Sequence, residues 1–481
     1  MTATTSGGAL TQLIALGAAD KYLSQNPSIT FWRFRYNRYT NFALEPIEQP
    51  FNTQVMFGND TLMTFNRTGD LIFWTYVVID LYGITAVDSP PPRDFPGGAR
   101  RLFPGLTGGE GGTLYDPCQD EQGAGGCGDG DEEKTPWAHY TNAIGQWLVR
   151  RASLVIGGQV IDTLYSDYLY MWEELAGKPG KRLREMIGKE FSLHELVEDS
   201  GRDRRLYVPL PFWFTTTSGN ALPVVSLQFH GIQLHVSFAE LNSCVQTSCS
   251  VSEDGDAQPL TVVKTRNGAP LVDQDLKAVV ETTYVYLDVE ERDRFATGSF
   301  EQLITQVQAY HLCTRSCQVR MALNFNHPII ELLWAVRRNC QSAVNNHFCY
   351  AGRNLEDPIR LVHLKLNNLP RFAPKEGRYF RLVQPYQHHT NIPQSHVYCW
   401  SAALYPEESQ PSGSVNFSRI DNVELVLDMQ ENIDMPPQPR RTYDDRSNVK
   451  QATGDFTVLV FARSWNILRY REGLGGVAFS N

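Results

Sequence analysis

The sequence predicts an all-β protein built from sandwiches or barrels, and three observations support that class. Short apolar stretches with a two-residue period recur in both halves of the chain, separated by clusters of Gly, Pro and Asn. Long helical patterns are missing, and strands do not alternate with helices in the way that builds a parallel sheet. The 481 residues exceed the size at which one core keeps growing, so we expect two domains.

Composition limits the classes of function. The formal net charge is -10, and aromatic residues make up 11% of the chain, which suits cores and subunit contacts. Because proteins that coat nucleic acid neutralise phosphates with Lys and Arg, we expect no direct binding of nucleic acid. No apolar run reaches the roughly 18 residues of a membrane span, and the N-terminus lacks a signal-peptide pattern. We therefore expect neither membrane insertion nor secretion by a signal peptide.

The nine cysteines are predicted to be mostly reduced thiols, because their number is odd and no CxxC pair occurs. Local bridges remain alternatives for two pairs in loop-like sequence, Cys118 with Cys127 and Cys244 with Cys249. Cys313 and Cys317 lie four residues apart in a predicted strand, and we expect both to pack in the core.

The N-terminal residues 1–27 are predicted to form an arm. Residues 9–23 place Leu10, Leu13 and Ile14 on one helical stripe, and a polar stop follows. Such an amphipathic arm folds back on its own domain, or it reaches a neighbouring subunit or an inner-shell protein, and the residues leave these alternatives open.

Strand patterns begin directly after the arm. From Ile29 the apolar period changes to two, with Trp32, Phe34 and Tyr36 on one face of a predicted strand. The run Leu71–Leu81 is continuously apolar, which is typical of a strand that is covered on both faces, either in an interior sheet or at a buried subunit contact. Residues 89–133 are rich in Gly, Pro and acidic residues, and we expect an exposed loop there.

The middle of the first half contains further predictable elements. Gly157 and Gly158 separate two apolar stretches, which predicts a tight hairpin, and Ser166 or Asp167 is expected to cap a following helix. Two alternating runs, 225–230 and 232–238, predict strands separated by a bend or bulge at Gly231, where the apolar parity flips.

The polar residues 241–275 are predicted to link the two halves, and strands resume after them. This gives an arm at 1–27, a first domain at 28–240 and a second domain at 276–481. The predicted strands of the second half are Thr282–Val289, Leu303–Val307, Gln318–Phe325, Ile330–Val336, Val423–Leu427 and Phe456–Phe461.

Motifs for catalysis or cofactors are weak throughout the sequence. No nucleophile elbow or phosphate loop occurs, and Glu198 stands where an HExxH zinc motif needs its second histidine. His388, His389, His396 and Cys399 match no closed zinc site, and strand-edge hydrogen bonding explains them better. We therefore expect no enzyme activity, no metal and no cofactor.

Five blocks of sequence resemble the major capsid proteins of large icosahedral DNA viruses, and they occur in that family's order. They are 9–42 (ALTQLIALGAADKYLSQNPSITFWRFRYNRYTNF), 208–238 (VPLPFWFTTTSGNALPVVSLQFHGIQLHVSF), 324–333 (NFNHPIIELL), 411–421 (PSGSVNFSRID) and 462–481 (ARSWNILRYREGLGGVAFSN). The resemblance implies two tandem antiparallel eight-stranded jelly rolls with short helices and long surface loops. No internal sequence repeat is evident, so this prediction rests on the resemblance and on the chain length.

The resemblance also implies a function through contacts rather than through chemistry. Three copies would form a homotrimeric, pseudo-hexagonal capsomer, and capsomers assembled in the host cytoplasm would tile the virion shell. Partners would be neighbouring capsomers, minor capsid proteins beneath the shell and glycans on outer loops. The candidate interface residues are Leu10, Leu13, Ile14, Phe212, Trp213, Leu474 and Phe479. A carbohydrate-binding or carbohydrate-active jelly-roll protein of the virion surface is the alternative, which exposed aromatic platforms would support.

Overall fold

The structure is a computed structural model, and its contacts divide the chain into two units, residues 1–42 and 43–481. The described residues are 7–29, 31–32, 37–86, 138–181, 183–247, 249–251, 257–259, 263–265, 270–343, 345–352, 356–430 and 456–479. The predicted loop at 89–133, including Cys118 and Cys127, lies outside them. No helix in these ranges is long and apolar enough to cross a membrane.

The first unit contains two short helices where the sequence predicts one stripe. They are α1 (Gly7–Ile14) and α2 (Ala18–Ser24), and the amide of Gly17 donates to Asp20 Oδ2 at 2.9 Å at the start of α2. The strand predicted from Ile29 is wrong for residues 29, 31 and 32, which form bends and irregular backbone. Phe34 and Tyr36 lie outside the described residues.

The second unit begins with the first half of the β structure. Its helices are α3 (Ile144–Leu148), α4 (Ser166–Ala176), α5 (Arg184–Ile187), α6 (Leu193–Ser200), α7 (Trp213–Thr216) and α8 (Leu241–Cys244). Its strands are β1 (Phe42–Pro50), β2 (Asp60–Thr64), β3 (Leu71–Leu81), β4 (Ile84–Ala86), β5 (Ala138–Tyr140), β6 (Val149–Ile156), β7 (Gln159–Tyr165), β8 (Arg204–Pro209), β9 (Leu222–Pro223), β10 (Ile232–Phe238), β11 (Val245–Thr247), β12 (Cys249–Val251), β13 (Ala257–Pro259), β14 (Val263–Thr265) and β15 (Lys277–Leu287).

The remaining elements form the second half. Its helices are α9 (Val289–Thr297), α10 (Asn339–Ala343), a π-helical turn (Tyr379–Val383) and α11 (Gln384–His388). Its strands are β16 (Phe300–Thr314), β17 (Gln318–Ala322), β18 (Pro328–Arg338), β19 (Ile359–Leu366), β20 (Leu369–Pro370), β21 (Lys375–Glu376), β22 (Tyr398–Ser401), β23 (Val415–Asn416), β24 (Val423–Met429), β25 (Phe456–Arg471) and β26 (Leu474–Val477).

The same sheet order occurs in both halves. In the first half one sheet has the order β1-β15-β3-β8 and the other β2-β10-β6-β7; in the second half the orders are β16-β25-β18-β22 and β17-β24-β19-β20. When only the eight strands of these two sheets are numbered in each half, the order is first-eighth-third-sixth in one sheet and second-seventh-fourth-fifth in the other. Each pair of antiparallel sheets is a jelly roll, which confirms the predicted double jelly roll.

The boundary between the two rolls lies later than predicted. Residues from 276 onward are predicted to form the second domain, whereas β15 is hydrogen-bonded to β3 and completes the first sheet. The predicted linker at 241–275 contains α8 and short strands that pair within the first half, for example β11 with β5. A polar composition suggested a linker here, but the backbone of this segment finds its partners in small two-stranded sheets.

The tight hairpin predicted at Gly157 and Gly158 is confirmed. The two glycines connect β6 and β7 and adopt φ angles of 58° and 83°, which match the twist of the flanking strands. The helix α4 follows directly, but neither predicted capping residue caps it. Tyr165 occupies the N-cap position without a side-chain bond, and Asp167 instead contacts the second roll.

The strand predicted at 225–230 is also wrong. Residues Val224–Ser226 form a 3-10 turn, and only the second of the two runs becomes a strand, β10. The Arg67 guanidinium donates to the carbonyl oxygens of Leu227, Gln228 and His230 at 2.7, 2.6 and 3.1 Å. Because these carbonyls are satisfied by a side chain, the segment needs no neighbouring strand.

The strands β18 and β25 are buried on both faces. Leu332, Trp334 and Val460 belong to the core inside the second roll, whereas Leu333 and Phe461 join the core cluster that extends from the first roll. A central strand covered on both sides reads as a nearly continuous apolar run. The predicted strands at 71–81, 303–307, 330–336, 423–427 and 456–461 are confirmed within β3, β16, β18, β24 and β25. The strand predicted at 318–325 is confirmed only for Gln318–Ala322 in β17, and the one predicted at 282–289 ends at Leu287 in β15, because Val289 begins α9.

We expect Gly157→Ala to destabilise the protein by more than Gly158→Ala. Both glycines have left-handed φ angles, which cost an alanine about 1–2 kcal/mol. In addition, a Cβ at Gly157 would lie 2.4 Å from His230 Nδ1, whereas nothing lies within 4 Å at Gly158. Chemical denaturation measures the loss in free energy of unfolding for each variant. Gly219→Ala is the control, because nothing lies within 4 Å of a Cβ at that position. Equal losses for Gly157→Ala and Gly158→Ala would contradict the prediction.

Candidate functional site

The two jelly rolls meet at a buried ionic network. Glu331 on β18 and Arg463 on β25 are directly opposite in the sheet, and Arg463 Nη1 donates to Glu331 Oε1 at 2.7 Å. The same nitrogen donates to the carbonyl oxygen of Pro406 at 3.0 Å. The side chain of Glu331 has no exposed surface, so its charge depends entirely on these partners.

His389 extends this network at the end of α11. Its Nε2 lies 2.9 Å from Glu331 Oε2, and its Nδ1 lies 3.1 Å from Glu407 Oε1. Burial alone would raise the pKa of Glu331, but His389 and Arg463 outweigh it and lower that pKa to about 2. Burial would likewise lower the pKa of His389, whereas the Glu331 carboxylate raises it to about 12. The group is therefore a buried imidazolium between two carboxylates.

Helix α4 of the first roll covers this network. The Cζ atom of Arg463 lies 4.1 Å from the centre of the Trp172 ring, which is a cation–π arrangement. Tyr168, one turn earlier, packs against Phe461 with ring centres 5.8 Å apart. The first roll thus places an aromatic helix on the outer face of a sheet of the second roll.

A second polar contact joins the rolls near the start of α4. Asp167 Oδ1 accepts from Arg337 Nη1 and from the Tyr350 hydroxyl, both at 2.8 Å. Nearby, the rings of Trp147 and His347 are stacked with centres 3.4 Å apart. Burial lowers the pKa of His347 to about 3, so this imidazole is neutral and its Nε2 lies 2.8 Å from the Ser243 carbonyl oxygen.

The strand edges of the rolls also touch. Asp162 on β7 accepts from the amide of Val307 on β16 at 2.9 Å, and Gln306 Nε2 donates to the Ile161 carbonyl oxygen. Strand β7 is the fifth strand of the first roll, and β16 is the first strand of the second roll. The contact between the rolls therefore has two parts, a helix on a sheet face and a fifth strand beside a first strand.

Two of the predicted interface residues are buried within the single chain. Phe212 and Trp213 are 0% and 2% exposed, because the run that follows β8 turns inward and α7 contacts β3. Both side chains belong to the main core, and Phe214 stacks on Phe212. Aromatic enrichment alone did not distinguish a core segment from a subunit contact.

The other predicted interface residues are exposed. Leu10, Leu13 and Ile14 on α1 are 56%, 72% and 78% exposed. Leu474 and Phe479 near the C-terminus are 45% and 56% exposed, and the carbonyl oxygen of Phe479 accepts from Asn466 Nδ2 at 3.0 Å. The apolar surface that these side chains present is therefore free in the single chain, and it remains a candidate contact surface.

The histidine-rich stretch has a role that the sequence analysis missed. His388 Nδ1 lies 3.1 Å from the Leu404 carbonyl oxygen, but His388 ends helix α11 and does not lie at a strand edge as predicted. His389 belongs to the ionic network. Within the described ranges no group of three or more His, Cys, Asp or Glu side chains could hold a metal ion. The overlooked signal was a charged residue inside a continuous apolar strand, Glu331 in β18 and Arg463 in β25.

The cysteines follow the predictions in part. Cys244 and Cys399 are buried free thiols, so the alternative bridge from Cys244 to Cys249 does not form. Cys313 and Cys317 are free but exposed, and the prediction that they pack in the core is wrong. The strand β16 ends at Thr314, so Cys317 lies beyond the pleat that would have placed it on the same face. Cys349 is disulfide-bonded.

Two concave regions flank the helices that precede the sixth strands. A cleft of about 160 Å³ lies between Glu174 and Lys189 of the first roll and Asn391 of the second. A shallow groove of about 420 Å³ lies beside the π-helical turn, where the ammonium group of Lys375 lies 3.6 Å from the Tyr379 ring centre.

These features define a double jelly-roll protein whose rolls are joined by a buried polar network. Two family models match, "Large eukaryotic DNA virus major capsid protein" over residues 291–476 and "Major capsid protein N-terminus" over residues 30–90 and 123–288. The chain is 32% identical to the major capsid protein of Paramecium bursaria Chlorella virus 1, covering 98% of this chain and 100% of the relative. It is 31% identical to that of Pyramimonas orientalis virus, covering 99% and 100%.

Solved structures agree with the sequence relatives. A chain of the PBCV-1 virus capsid superposes with a TM-score of 0.67 at 27% identity, covering 94% of this chain and 100% of that chain. The Faustovirus major capsid protein shares the fold at 12% identity, with a TM-score of 0.64 and 96% of each chain covered. The chain belongs to the major capsid protein family of large DNA viruses, and it is a component of the viral capsid.

We expect Glu331→Gln to destabilise the folded chain by about 3–5 kcal/mol, because Arg463 and His389 would remain buried without their carboxylate. Denaturant unfolding measures the loss. Glu301→Gln is the matched control: Glu301 pairs with Arg469 across β16 and β25, but both side chains are exposed, so we expect a loss below about 1 kcal/mol. Similar losses in the two variants would contradict the proposed importance of burial.

The raised pKa of His389 predicts a dependence of stability on pH. Between its ordinary value of 6.5 and about 12, the folded chain keeps a proton that the unfolded chain releases. This contribution to stability is complete below pH 6.5 and falls as the pH rises, by about 1.4 kcal/mol per pH unit for one proton. We expect the unfolding free energy of the parent to fall more steeply than that of His389→Gln between pH 7 and 9. Parallel curves would contradict this.

Proposed function

We propose that three copies of this chain form a capsomer whose six jelly rolls give a pseudo-hexagonal outline, and that capsomers tile an icosahedral shell around double-stranded DNA. The observation that carries the proposal is the repeated strand order within one chain, β1-β15-β3-β8 and β16-β25-β18-β22. Two rolls of one topology, fixed side by side, supply one third of a ring of six. Cyclic homo-oligomers are a common way to close such a ring.

The division of the chain follows from the strand pairing. In this proposal residues 1–27 are an arm, the first jelly roll extends to Leu287 at the end of β15, and the second begins with α9. The arm carries the exposed Leu10, Leu13 and Ile14, which suit contacts with neighbouring capsomers or with minor capsid proteins beneath the shell. The exposed Leu474 and Phe479 offer a second apolar contact at the other end of the chain.

The role is structural rather than catalytic. Closed sandwiches hide most strand edges, so many copies crowd together without pairing edge to edge into fibres. The net charge of -10 favours a shell that does not bind the genome directly. Assembly in the host cytoplasm and glycans on the outer loops belong to the same proposal. Cys244, Cys313, Cys317 and Cys399 are free thiols, which suits a reducing compartment, whereas Cys349 is disulfide-bonded.

We expect the purified full-length chain to sediment as a trimer and to show particles of hexagonal outline by electron microscopy. Sedimentation velocity over a wide concentration range measures the mass. A glycan array tests the alternative of a carbohydrate-binding module, for which the exposed aromatic side chains of Trp74 and Tyr386 are candidate platforms. A chain that stays monomeric at every concentration and binds particular saccharides would contradict the capsomer proposal.

A further inference from the structure

The two jelly rolls carry corresponding helices at the same place in their topology. In the first roll α4 follows the fifth strand, β7, and precedes the sixth, β8. In the second roll the π-helical turn and α11 follow the fifth strand, formed by β20 and β21, and precede the sixth, β22. Each roll also has an outer face on the sheet that contains its first, eighth, third and sixth strands.

Within the chain, the helix of the first roll covers the sheet face of the second. Trp172 lies over Arg463, Tyr168 packs on Phe461, and Asp167 accepts from Arg337. The covered side chains come from the third and eighth strands of the second roll, β18 and β25. Because this face is polar at Glu331 and Arg463, it would be costly to leave half covered.

The corresponding helix of the second roll presents apolar side chains to the outside. Leu382 and Val383 in the π-helical turn and Tyr386 in α11 are exposed, the last by 77%. Leu382 and Tyr386 are four residues apart, as are Tyr168 and Trp172 in α4, so each pair lies on one helical face. Phe380, Gln384 and Pro385 on the opposite side are buried in their own roll.

The corresponding sheet face of the first roll is only partly covered. Val77 and Val280 point into the core, so their neighbours Tyr76 and Glu281, which are paired across β3 and β15, point outward. Tyr76 and Glu281 are half-buried, and Trp74 on β3 is 44% exposed although it stacks on Phe73 with ring centres 4.6 Å apart. An exposed large aromatic side chain on the central strands of a sheet is typical of a surface that contacts another protein.

The strand edges offer a second contact of the same kind, between the fifth strand of one roll and the first strand of the next. Inside the chain, β7 of the first roll touches β16 of the second through Asp162 and Val307. The corresponding edges toward a further copy are β20 and β1, where Leu369 and Leu44 are exposed apolar residues.

The charges of the two surfaces favour their contact. The sheet face carries a small excess of negative charge, from Glu48, Asp80 and Glu281 against Arg205 and Lys277. The region around the helix carries a small excess of positive charge, from Lys375, Arg378 and Arg381 against Asp357 and Glu376. Opposite potentials steer association and penalise the wrong pairing of surfaces.

We infer that the helical segment 379–388 of one copy docks on the outer face of β3 and β15 in the next copy, in the manner in which α4 docks on β18 and β25 within each chain. This inference rests on the proposed function and names the surfaces that build the capsomer. The contact is head to tail, with two different surfaces on each chain, so three copies close a ring in which contacts within and between chains alternate.

Two variants test the contact. Trp74→Glu places a charge on the sheet face, and Tyr386→Glu places one on the helix; Val160→Glu, at a residue 56% exposed near the β6–β7 hairpin, is the matched control. We expect each test variant alone to be monomeric, and the control to trimerise like the parent. An equimolar mixture of the two test variants should give heterodimers and no trimers. The intact helix of Trp74→Glu docks on the intact sheet face of Tyr386→Glu, and the two altered surfaces that remain cannot bind a third chain. Trp74→Ala and Tyr386→Ala, which add no charge, should weaken trimerisation at least tenfold.

The outcomes separate this inference from the proposed function. A parent chain that is monomeric at every concentration overturns the capsomer proposal and this inference with it. A trimeric parent whose four variants trimerise with unchanged affinity overturns the inference alone. A thermal unfolding transition like that of the parent verifies that each variant is folded. If Trp74→Glu fails this check, the alanine variant decides the role of the sheet face.

Discussion

The structure depends on the pairing of Glu331 with Arg463 and His389 at the junction of the two rolls. An isolated charge at this depth would be costly, and the pairing is complete only when elements from distant parts of the chain meet. Glu331 and Arg463 come from neighbouring strands, His389 from the end of a helix, and Trp172 covers them from the other roll. A shifted or rotated arrangement of the rolls would leave these ion pairs intact, because Glu331, Arg463 and His389 all belong to the second roll, but it would remove the Trp172 ring from Arg463 and separate Asp167 from Arg337. The cover that α4 provides and the pairing of Asp167 with Arg337 therefore specify how the rolls meet.

This junction makes the two rolls unequal although their topology is the same. The β18–β25 face is covered, so these strands are apolar on both sides, and the first-roll helix α4 is buried against them. The β3–β15 face and the helix of the second roll keep exposed side chains. Each roll carries the same two surfaces, a helix and an outer sheet face. Within the chain, the helix of the first roll covers the sheet face of the second, and the other two surfaces are left for contacts with further copies. Head-to-tail contacts of this kind close into a ring when the rotation between successive copies closes, and they build open filaments when it does not.

Local patterns predicted the strands well where one physical requirement dominated. The continuous apolar run of β3, the glycine pair between β6 and β7 and the alternation in β10 each identify their element, because burial and backbone geometry act within a few residues. The same reasoning failed at 225–230, where Arg67 satisfies the carbonyl oxygens, and at Phe212 and Trp213, which fill the core. In both cases the deciding partner lies far away in the sequence.

The sequence by itself determined the all-β class, most strands and, through its resemblance to a known family, the double jelly roll. These follow from side-chain periodicity, turn residues and matched blocks, which are properties of short segments. Only the tertiary structure decided that β15 belongs to the first roll, that His389 is a buried cation rather than a strand-edge donor, and which sheet face is covered. Strand pairing, burial and ion pairing join residues that are hundreds of positions apart, and no local pattern records such partners.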